Sequence, residues 1–311
     1  MVYMVTSVDS RDRSLARVLT FANGKGGVGK TSCAVNIAGL AAAAGWRTLL
    51  IDLDPQGNAG HDLGYAWSGT GDQGRRLVDA LVTRQAMTPA LTGVRQNLDV
   101  ICGGEALDDL EDVVSGRIRR NQDFRGLLAD ALAPLADDYD LIVMDTPPTR
   151  PSLLQLALAA TRWIIVPTRS DRSSIEGLRT LAAQIMQARE ANRNLEVLGA
   201  ILFDSGTAAT VIRRNATADV QNALDGAATL FGSVIRHSES AAVEARERGI
   251  LAHELAERVD AAEPYWKALQ EGRTPTRVPG SAPALAEDYV LLCQEILTRI
   301  AEREEQEATT A

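Results

Sequence analysis

Residues 24–31, GKGGVGKT, narrow the possible folds of this chain more than any other feature of its sequence. They match the phosphate-loop pattern G-x-x-x-x-G-K-[ST]. The apolar segment 17–22 precedes them and the alanine-rich segment 30–44 follows, so the loop is predicted to join a buried strand to a helix. Glycines let successive backbone N–H groups turn inward around a phosphate, and the helix N-terminus adds the positive end of its dipole. The sequence therefore predicts a strand, loop and helix that bind a nucleotide.

Apolar segments and helical segments alternate along the rest of the chain. Continuous apolar strands of this kind are typical of a parallel sheet that is covered on both faces. We therefore predict an α/β fold with a doubly wound, mostly parallel sheet and helices on both faces, as in P-loop NTPases. Further strands are predicted at 47–54, 98–103, 140–145, 163–167, 197–203 and 232–235, and helices at 122–136, 151–161, 173–191 and 209–224.

The domain organisation is predicted to be simple. Residues 1–16 are expected to form a flexible N-terminal arm. Residues 17–311 are expected to form a single P-loop ATPase domain, in which a Pro/Gly-rich loop at 271–283 precedes a final helix near 284–305. Residues 66–76 are predicted to form a polar loop.

Composition excludes several classes of protein. No apolar run approaches the roughly 20 residues that span a bilayer, and the first residues lack a signal-peptide pattern, so a cytoplasmic protein is expected. Cys33, Cys102 and Cys293 are widely spaced, which argues against a disulfide framework or a zinc site and favours buried thiols. The formal net charge of −9 argues against a globally basic DNA-binding protein, so any DNA contact must depend on individually placed arginines.

The phosphate loop assigns chemistry to particular side chains. Lys30 is expected to place its ammonium between the β- and γ-phosphates of ATP, and Thr31 to offer its hydroxyl to Mg²⁺. Arginine suits the position of Lys30 poorly because its planar guanidinium is bulkier than a point charge. The predicted nucleotide contacts are Lys25, Gly26, Gly27, Val28, Gly29, Lys30, Thr31 and Ser32.

Three aspartates follow apolar strands. Asp145 ends DLIVMD and is predicted to be the Walker B acid, which holds a water molecule on Mg²⁺ from the carboxyl end of its strand. Asp52 and Asp54 alternate with Leu53, so an extended backbone projects both carboxylates to the same side. Two acids beside a triphosphate should repel it unless they serve the cation or the attacking water.

Taken together, residues 25–31 (KGGVGKT), 52–59 (DLDPQGNA) and 145–148 (DTPP) resemble the ParA/MinD family of deviant Walker ATPases, and the ParA branch in particular. The resemblance covers roughly residues 17–255. It implies that ATP is sandwiched between the subunits of a homodimer, and that hydrolysis dissolves the dimer.

The resemblance also implies roles for individual residues. Lys25 would be the signature lysine that reaches the phosphates bound by the other subunit. The chain has only three lysines, and these two separate roles would explain why Lys25 and Lys30 both lie in one loop. Asp54 would orient or deprotonate the attacking water, so the catalytic set is Asp54, Lys25 and Lys30. Asp52 would hold Mg²⁺ through water, so the metal set is Thr31, Asp52 and Asp145. Gly26 would lie where two subunits approach each other.

The chain departs from the family pattern in two places. The strand before the adenine pocket is often followed by Ile-Pro in ParA proteins, whereas this chain has Ile235 and Arg236. The expected adenine contacts are Phe203, Asp204 and the segment 234–240. ParA proteins bind DNA nonspecifically through basic surface residues, and Arg213 and Arg214 lie in the corresponding region. The denser cluster RIRR at 117–120 is interpreted as the start of a solvated helix.

The resemblance implies a partition ATPase that binds double-stranded DNA nonspecifically, associates with the nucleoid and moves plasmid or chromosomal DNA with a ParB-like partner. A positioning ATPase for a protein cargo, such as a chemoreceptor cluster or carboxysome, remains an alternative. A MinD-type membrane-cycling regulator would need a basic amphipathic C-terminus, and the chain ends in the acidic EREEQEATTA. A nitrogenase-like iron protein would need a second cysteine near residues 145–149, which the sequence lacks.

Overall fold

The computed structural model of the protein describes residues 13–206, 210–226, 228–263, 265–272, 274 and 279–310. Within these ranges the chain forms a sheet of eight strands in the order β3-β4-β2-β5-β1-β6-β7-β8. The strands are β1 (Val18–Phe21), β2 (Thr48–Asp52), β3 (Leu91–Arg95), β4 (Leu98–Ile101), β5 (Leu141–Asp145), β6 (Trp163–Thr168), β7 (Glu196–Ser205) and β8 (Leu230–Arg236).

Helices follow most of the strands. Their bounds are α1 (Lys30–Ala43), α2 (Ala59–Leu63), α3 (Tyr65–Ser68), α4 (Arg75–Thr83), α5 (Ala106–Arg119), α6 (Gly126–Ala136), α7 (Pro151–Ala159), α8 (Arg172–Ala188), α9 (Thr210–Ala223), α10 (Glu239–Arg248), α11 (Ala252–Asp260), α12 (Tyr265–Gln270) and α13 (Ala282–Thr310). Residues 1–12 of the predicted arm, and 273 and 275–278 of the predicted loop, lie outside the described residues.

The sheet confirms the predicted fold class. Every neighbouring pair of strands is parallel except β3 and β4, which form an antiparallel hairpin at one edge. Strand β3 was not predicted, because its five residues, LTGVR, are partly exposed and carry no continuous apolar run. The turn of this hairpin contains Asn97 at φ 62°, a left-handed conformation that asparagine tolerates better than most residues.

Two further local predictions were wrong. The cluster RIRR at 117–120 lies at the C-terminal end of α5, where arginines interact favourably with the helix dipole, and not at a helix start. The segment 66–76 is not a continuous loop, because α3 occupies its beginning and α4 starts at Arg75. Helix α5 was missed because its apolar positions are interrupted by acidic residues on the exposed face.

The hydrophobic core lies on both faces of the sheet. Leu50 packs with α1, α11 and α13 in one cluster of buried residues, whereas its neighbours Leu49 and Ile51 pack with α4 to α7 in another. Successive side chains of a strand point to opposite faces, so both faces of β2 are covered by helices. Cys33, Cys102 and Cys293 are buried free thiols, as predicted.

The register of the central strands positions the predicted acids. Strand β1 lies between β5 and β6, and its last residue, Phe21, pairs with Asp145. On the other side of β5, Asp52 pairs with the same Asp145. The carboxyl ends of β1, β2 and β5 therefore meet at the edge of the sheet where doubly wound folds bind ligands.

Candidate nucleotide-binding site

The phosphate loop leaves β1 and enters α1 through a tight turn. Gly27 has φ 71° and Gly29 has φ 89°, so both adopt the left-handed backbone that favours glycine. A Cβ atom on Gly29 would lie 2.3 Å from the ring of Phe203, whereas a Cβ on Gly27 would meet nothing within 4 Å. The ring of Phe203 thus covers the loop at Gly29, and only glycine fits beneath it.

The loop presents unused hydrogen-bond donors. The backbone N–H groups of Gly26, Gly27 and Gly29 donate to no acceptor in the described part of the chain. Gly29 also begins α1 without a side-chain cap, so the first turn of the helix keeps its N–H groups open. Several converging donors at the positive end of a helix dipole form a binding site for a phosphate group.

Lys30 lies inside this loop. Its side chain is buried, and its Nζ donates to the backbone carbonyl of Lys25 over 2.9 Å. Burial lowers the pKa of Lys30, and the charges of Asp145 and Asp54 oppose that shift. An ammonium held by one carbonyl keeps two further protons for the oxygens of a ligand.

Asp145 is fully buried beneath the loop, and neither of its carboxylate oxygens makes a hydrogen bond to any described residue. Burial raises its pKa to about 7, while the nearby Thr31 hydroxyl and Lys30 ammonium counteract that rise. A buried carboxylate without hydrogen-bond partners destabilises the folded state. A bound ligand that interacts with its oxygens would remove this cost.

Asp52 is buried as well, but its oxygens are engaged. Oδ1 accepts the N–H of Asp54 over 2.9 Å, and Oδ2 accepts the N–H of Ala59 over 3.3 Å. Burial, with the neighbouring charge of Asp145, raises the pKa of Asp52 well above its usual range. Asp52 therefore holds together the segment that carries Asp54 and begins α2.

Asp54 faces the space in front of the loop. Its Oδ1 accepts the N–H of Gln56 over 3.0 Å, which fixes the orientation of the carboxylate. Its Oδ2 has no hydrogen-bond partner within the described residues. One oriented oxygen is therefore free to bind a water molecule.

A pocket of about 430 Å³ lies between the phosphate loop, the segment after β2 and the segment after β5. Eight of the predicted site residues line it: Gly26, Gly27, Gly29, Lys30, Thr31, Ser32, Asp54 and Phe203. Asp52, Asp145 and Val28 lie behind the pocket wall and are buried. No group of three or more His, Cys, Asp or Glu side chains among the described residues could hold a metal alone.

Lys25 does not point into the pocket. Its Nζ donates to Asp171 Oδ1 over 2.7 Å and to Ser174 Oγ over 3.2 Å, at the start of α8. The hydrogen bond from Lys25 holds the pKa of Asp171 well below its usual range. In the single chain this lysine is therefore paired away from the nucleotide pocket.

The predicted adenine contacts separate in the structure. Phe203 lines the pocket, whereas Asp204 has φ 58° and is paired with Arg169 over 2.7 Å. The His237 ring also contacts the carboxylate of Asp204. Asp204 thus joins the ends of β6, β7 and β8.

The two predicted DNA contacts also differ from each other. Arg213 donates to the carbonyls of Phe231 and Gly232 over 2.7 and 2.8 Å, so its guanidinium binds the backbone of β8. Arg214 is exposed.

Two arginines that the sequence did not assign to the nucleotide pocket, Arg150 and Arg246, lie on its wall; Arg246 was noted only as one of the later basic residues that could contact DNA. Arg150 is ion-paired with Asp108, over 2.8 Å, and with Glu111. It directly follows residues 145–149, and that adjacency could have identified it. Arg246 lies far away in the sequence on α10, and only the fold brings it to the pocket.

Comparison with known proteins agrees with this geometry. A family model described as "AAA domain" matches residues 16–197. The chain is 37% identical over 197 residues to the chromosome partitioning protein ParA of Myxococcus xanthus, across 62% of this chain and 67% of that protein. It is 34% identical over 199 residues to the chromosome-partitioning ATPase Soj of Thermus thermophilus, across 63% of this chain and 73% of that protein. The chain belongs to the ParA/MinD family of deviant Walker ATPases.

Solved structures share the fold of this ParA/MinD family member over most of its length. Apo McdA of Cyanothece superposes with a TM-score of 0.67 at 18% identity, covering 91% of this chain and 99% of that one. Cobyrinic acid a,c-diamide synthase from Mycobacterium smegmatis, with bound ADP and magnesium, has a TM-score of 0.58 at 26% identity, covering 85% and 99%. Across the described residues, no helix combines the length and apolar character that crossing a membrane requires.

Proposed function

We propose that this protein is an ATPase that dimerises around ATP and Mg²⁺, binds DNA nonspecifically, and partitions plasmid or chromosomal DNA with a ParB-like partner. The observation that carries the proposal is the convergence of unpaired loop N–H groups, Lys30 and Asp54 on one pocket, with the partnerless Asp145 directly behind it. The named relatives ParA and Soj are chromosome partitioning proteins, which supports the choice of cargo.

Phosphate binding is assigned to the loop. The N–H groups of residues 26–29 would surround the β-phosphate, and Lys30 would turn its two free protons to the β- and γ-phosphate oxygens. The Thr31 hydroxyl would bind Mg²⁺, and the Asp145 and Asp52 carboxylates would hold it through water. When bound, Mg²⁺ would neutralise charge that develops on the phosphate oxygens.

Hydrolysis is assigned to Asp54. Its Oδ2 is free, its Oδ1 is fixed by Gln56, and it lines the same pocket as Lys30. A carboxylate in this position can orient a water molecule and accept its proton as that water attacks the γ-phosphate. Lys30 stabilises the negative charge that develops on the transferred group.

Dimerisation is assigned to Lys25 and Gly26. Lys25 would leave Asp171 and bind the phosphates held by the other subunit. Asp171 and these phosphates are both anionic. A Cβ on Gly26 would meet only Pro148, at an ordinary 3.7 Å, so no crowding inside the chain requires glycine there. A second subunit that approaches Gly26 closely would leave no room for a side chain and would therefore require glycine at this position.

DNA binding is assigned to exposed arginines on the surface of the dimer, of which Arg214 is a candidate. With a net charge of −9 the chain offers no general attraction to DNA, so dimerisation would serve to bring two copies of a small basic patch together. The protein would then reside in the cytoplasm on the nucleoid.

The three lysines of the chain provide a matched experiment. ATP hydrolysis and DNA co-sedimentation are measured with and without ATP for the wild type, Lys30→Ala, Lys25→Ala and Lys267→Ala. Lys267 pairs with Glu263 away from the pocket, so Lys267→Ala should behave as the wild type. Lys30→Ala should lose nucleotide binding, and Lys25→Ala should retain some binding but lose hydrolysis and ATP-dependent DNA binding. Equal activity in all four proteins would refute the assignment.

A further inference from the structure

We propose that Arg246 binds the α-phosphate of the nucleotide, a role that rests on the nucleotide site proposed above. Arg246 lines the 430 Å³ pocket of the phosphate loop and also a second pocket of about 190 Å³ between α1, α10 and α13. Ser32 and Arg246 are the two residues that the pockets share. Arg246 therefore stands where the two spaces join.

The position of this joint identifies the phosphate. Asp54 and residues 147–149 line the first pocket and not the second, and the hydrolytic role proposed for Asp54 marks this part of the pocket as the γ-phosphate end. Ser32 follows Thr31 in the first turn of α1 and lines both pockets, so the proposal places the nucleoside end of the phosphate chain beside it. The loop motif cradles the α- and β-phosphates with its backbone and takes the β- and γ-phosphates with its lysine. The phosphate beside Ser32 and Arg246 is therefore the α-phosphate.

The guanidinium of Arg246 is held at one end and open at the other. Its Nε donates to Asp62 Oδ1 over 2.7 Å, and Asp62 is a buried residue of α2. Its two Nη groups make no hydrogen bond to any residue described in the structure, and 47% of the side chain is exposed. Arginine carries five donors in a fixed plane, so one edge can anchor the side chain while the other binds an anion.

The backbone that carries Arg246 is fixed against α2. Gly64 ends α2 and Gly249 ends α10, both with a left-handed backbone, and a Cβ on Gly249 would lie 2.3 Å from the Cα of Gly64. Arg95 donates to the carbonyls of both Leu63 and Gly249, over 3.3 and 3.0 Å, which joins the same two helix ends. Arg246 is thus placed before a ligand arrives, and such preorganisation lowers the entropic cost of binding.

The same contacts connect Arg246 to the predicted catalytic segment. Helix α2 begins at Ala59, whose N–H binds Asp52, and it carries Asp62, which binds Arg246. A nucleotide held by Arg246 is therefore aligned with the segment that carries Asp54.

Two variants test this role without leaving a buried charge unpaired. Arg246→Lys retains a cation that can pair with Asp62 but lacks the second edge of donors. The double variant Asp62→Asn/Arg246→Gln removes both charges together. Arg248→Lys is the matched control, because Arg248 lies on the same helix, pairs with Glu244 and lines neither pocket. Binding of ADP and of ATP with Mg²⁺ is measured by titration calorimetry, and urea unfolding without nucleotide checks the fold.

A charge-assisted hydrogen bond is worth about 1.5–3 kcal/mol, which corresponds to a loss of affinity of roughly 10- to 150-fold. Both test variants should bind ADP and ATP more weakly by this factor. The loss of affinity should be the same for the two nucleotides, because both carry the α-phosphate. Arg246→Lys should unfold at the same urea concentration as the wild type, and Arg248→Lys should bind as the wild type.

The inference is overturned if Arg246→Lys and the double variant bind ADP within about twofold of the wild type while Lys30→Ala does not bind. A loss of affinity for ATP without a loss of affinity for ADP would also overturn the inference, because that result would place the contact at the γ-phosphate. Failure of the wild type to bind either nucleotide would refute the proposed function itself, and this inference with it.

Discussion

Lys25 and Asp171 form an ion pair of 2.7 Å that holds the signature lysine of the phosphate loop against the start of α8. Asp171 also caps α8, since its side chain accepts the N–H of Ser174. A Cβ on Gly177, in the next turn of this helix, would lie 3.1 Å from the Cβ of Lys25, so the loop and helix are in close contact. The lysine proposed to complete the partner's site is thus occupied within its own subunit, and dimerisation must compete with this pair.

Weakening this pair should favour the dimer. Asp171→Asn retains a side chain that caps helices well but removes the charge that binds Lys25. The pair is partly exposed, so we expect no more than about 1 kcal/mol per subunit; because both subunits of the dimer break the pair, this is about 2 kcal/mol, or roughly 30-fold, in the ATP-dependent dimerisation constant. Sedimentation velocity at several concentrations measures that constant. Asp123→Asn, which removes a surface pair with Arg125 elsewhere, is the control, and a weaker dimer in Asp171→Asn would contradict the competition.

Two glycines of the phosphate loop should respond differently to alanine. A left-handed backbone costs an L-residue about 1–2 kcal/mol, and this applies to both Gly27 and Gly29. Only Gly29→Ala adds a clash, with the ring of Phe203. Urea unfolding should therefore show a larger loss of stability for Gly29→Ala than for Gly27→Ala, and Phe203→Ala should reduce that difference. Equal losses in the two single variants would show that the ring of Phe203 does not restrict the loop.

Stability of the nucleotide-free protein should decrease as the pH rises towards neutrality. The pKa of Asp145 is raised to about 7 by burial, whereas an unfolded aspartate has a pKa of about 3.9. Between these values the native state binds the additional proton, so Asp145 makes the free energy of unfolding fall with pH by at most about 1.4 kcal/mol per unit, and Asp52, whose pKa is also raised, acts in the same direction. Urea unfolding between about pH 5 and pH 7 measures the slope. Asp145→Asn should reduce it, and an unchanged slope would mean that Asp145 titrates normally.

The neighbouring arginines of α9 should separate stability from DNA binding. Arg213→Ala removes two hydrogen bonds to the backbone of β8 and should cost about 1–2 kcal/mol of unfolding free energy. Arg214→Ala should leave stability within about 0.5 kcal/mol, because exposed side chains contribute little. If Arg214 contacts a DNA phosphate, its loss should reduce the salt dependence of ATP-dependent DNA binding by about one unit of slope. An unchanged slope would exclude that contact.

The elements with a strong local pattern could be predicted from the sequence. The buried strands β1, β2 and β5 are continuous apolar runs, and the phosphate loop is bounded by a strand and a helix as its motif requires. Strand β3 lacks such a pattern, because the hairpin with β4 and not burial determines its conformation.

Residues that the fold brings together from distant segments were not predictable. Arg246 reaches the pocket because Gly64 and Gly249 allow α2 and α10 to meet, which no local pattern of either helix indicates. The pairing of Lys25 with Asp171 likewise depends on the packing of α8 beside the loop.

ATP is proposed to join two subunits, and hydrolysis by way of Asp54 is proposed to separate them. The most direct measurement is the molar mass of the Asp54→Ala variant in light scattering, with Mg²⁺ and either ATP or ADP. We expect a stable dimer with ATP and a monomer with ADP, and a monomer with ATP when Lys30→Ala is added. A mass that stays monomeric with ATP, in a protein that binds ATP, would contradict the proposal.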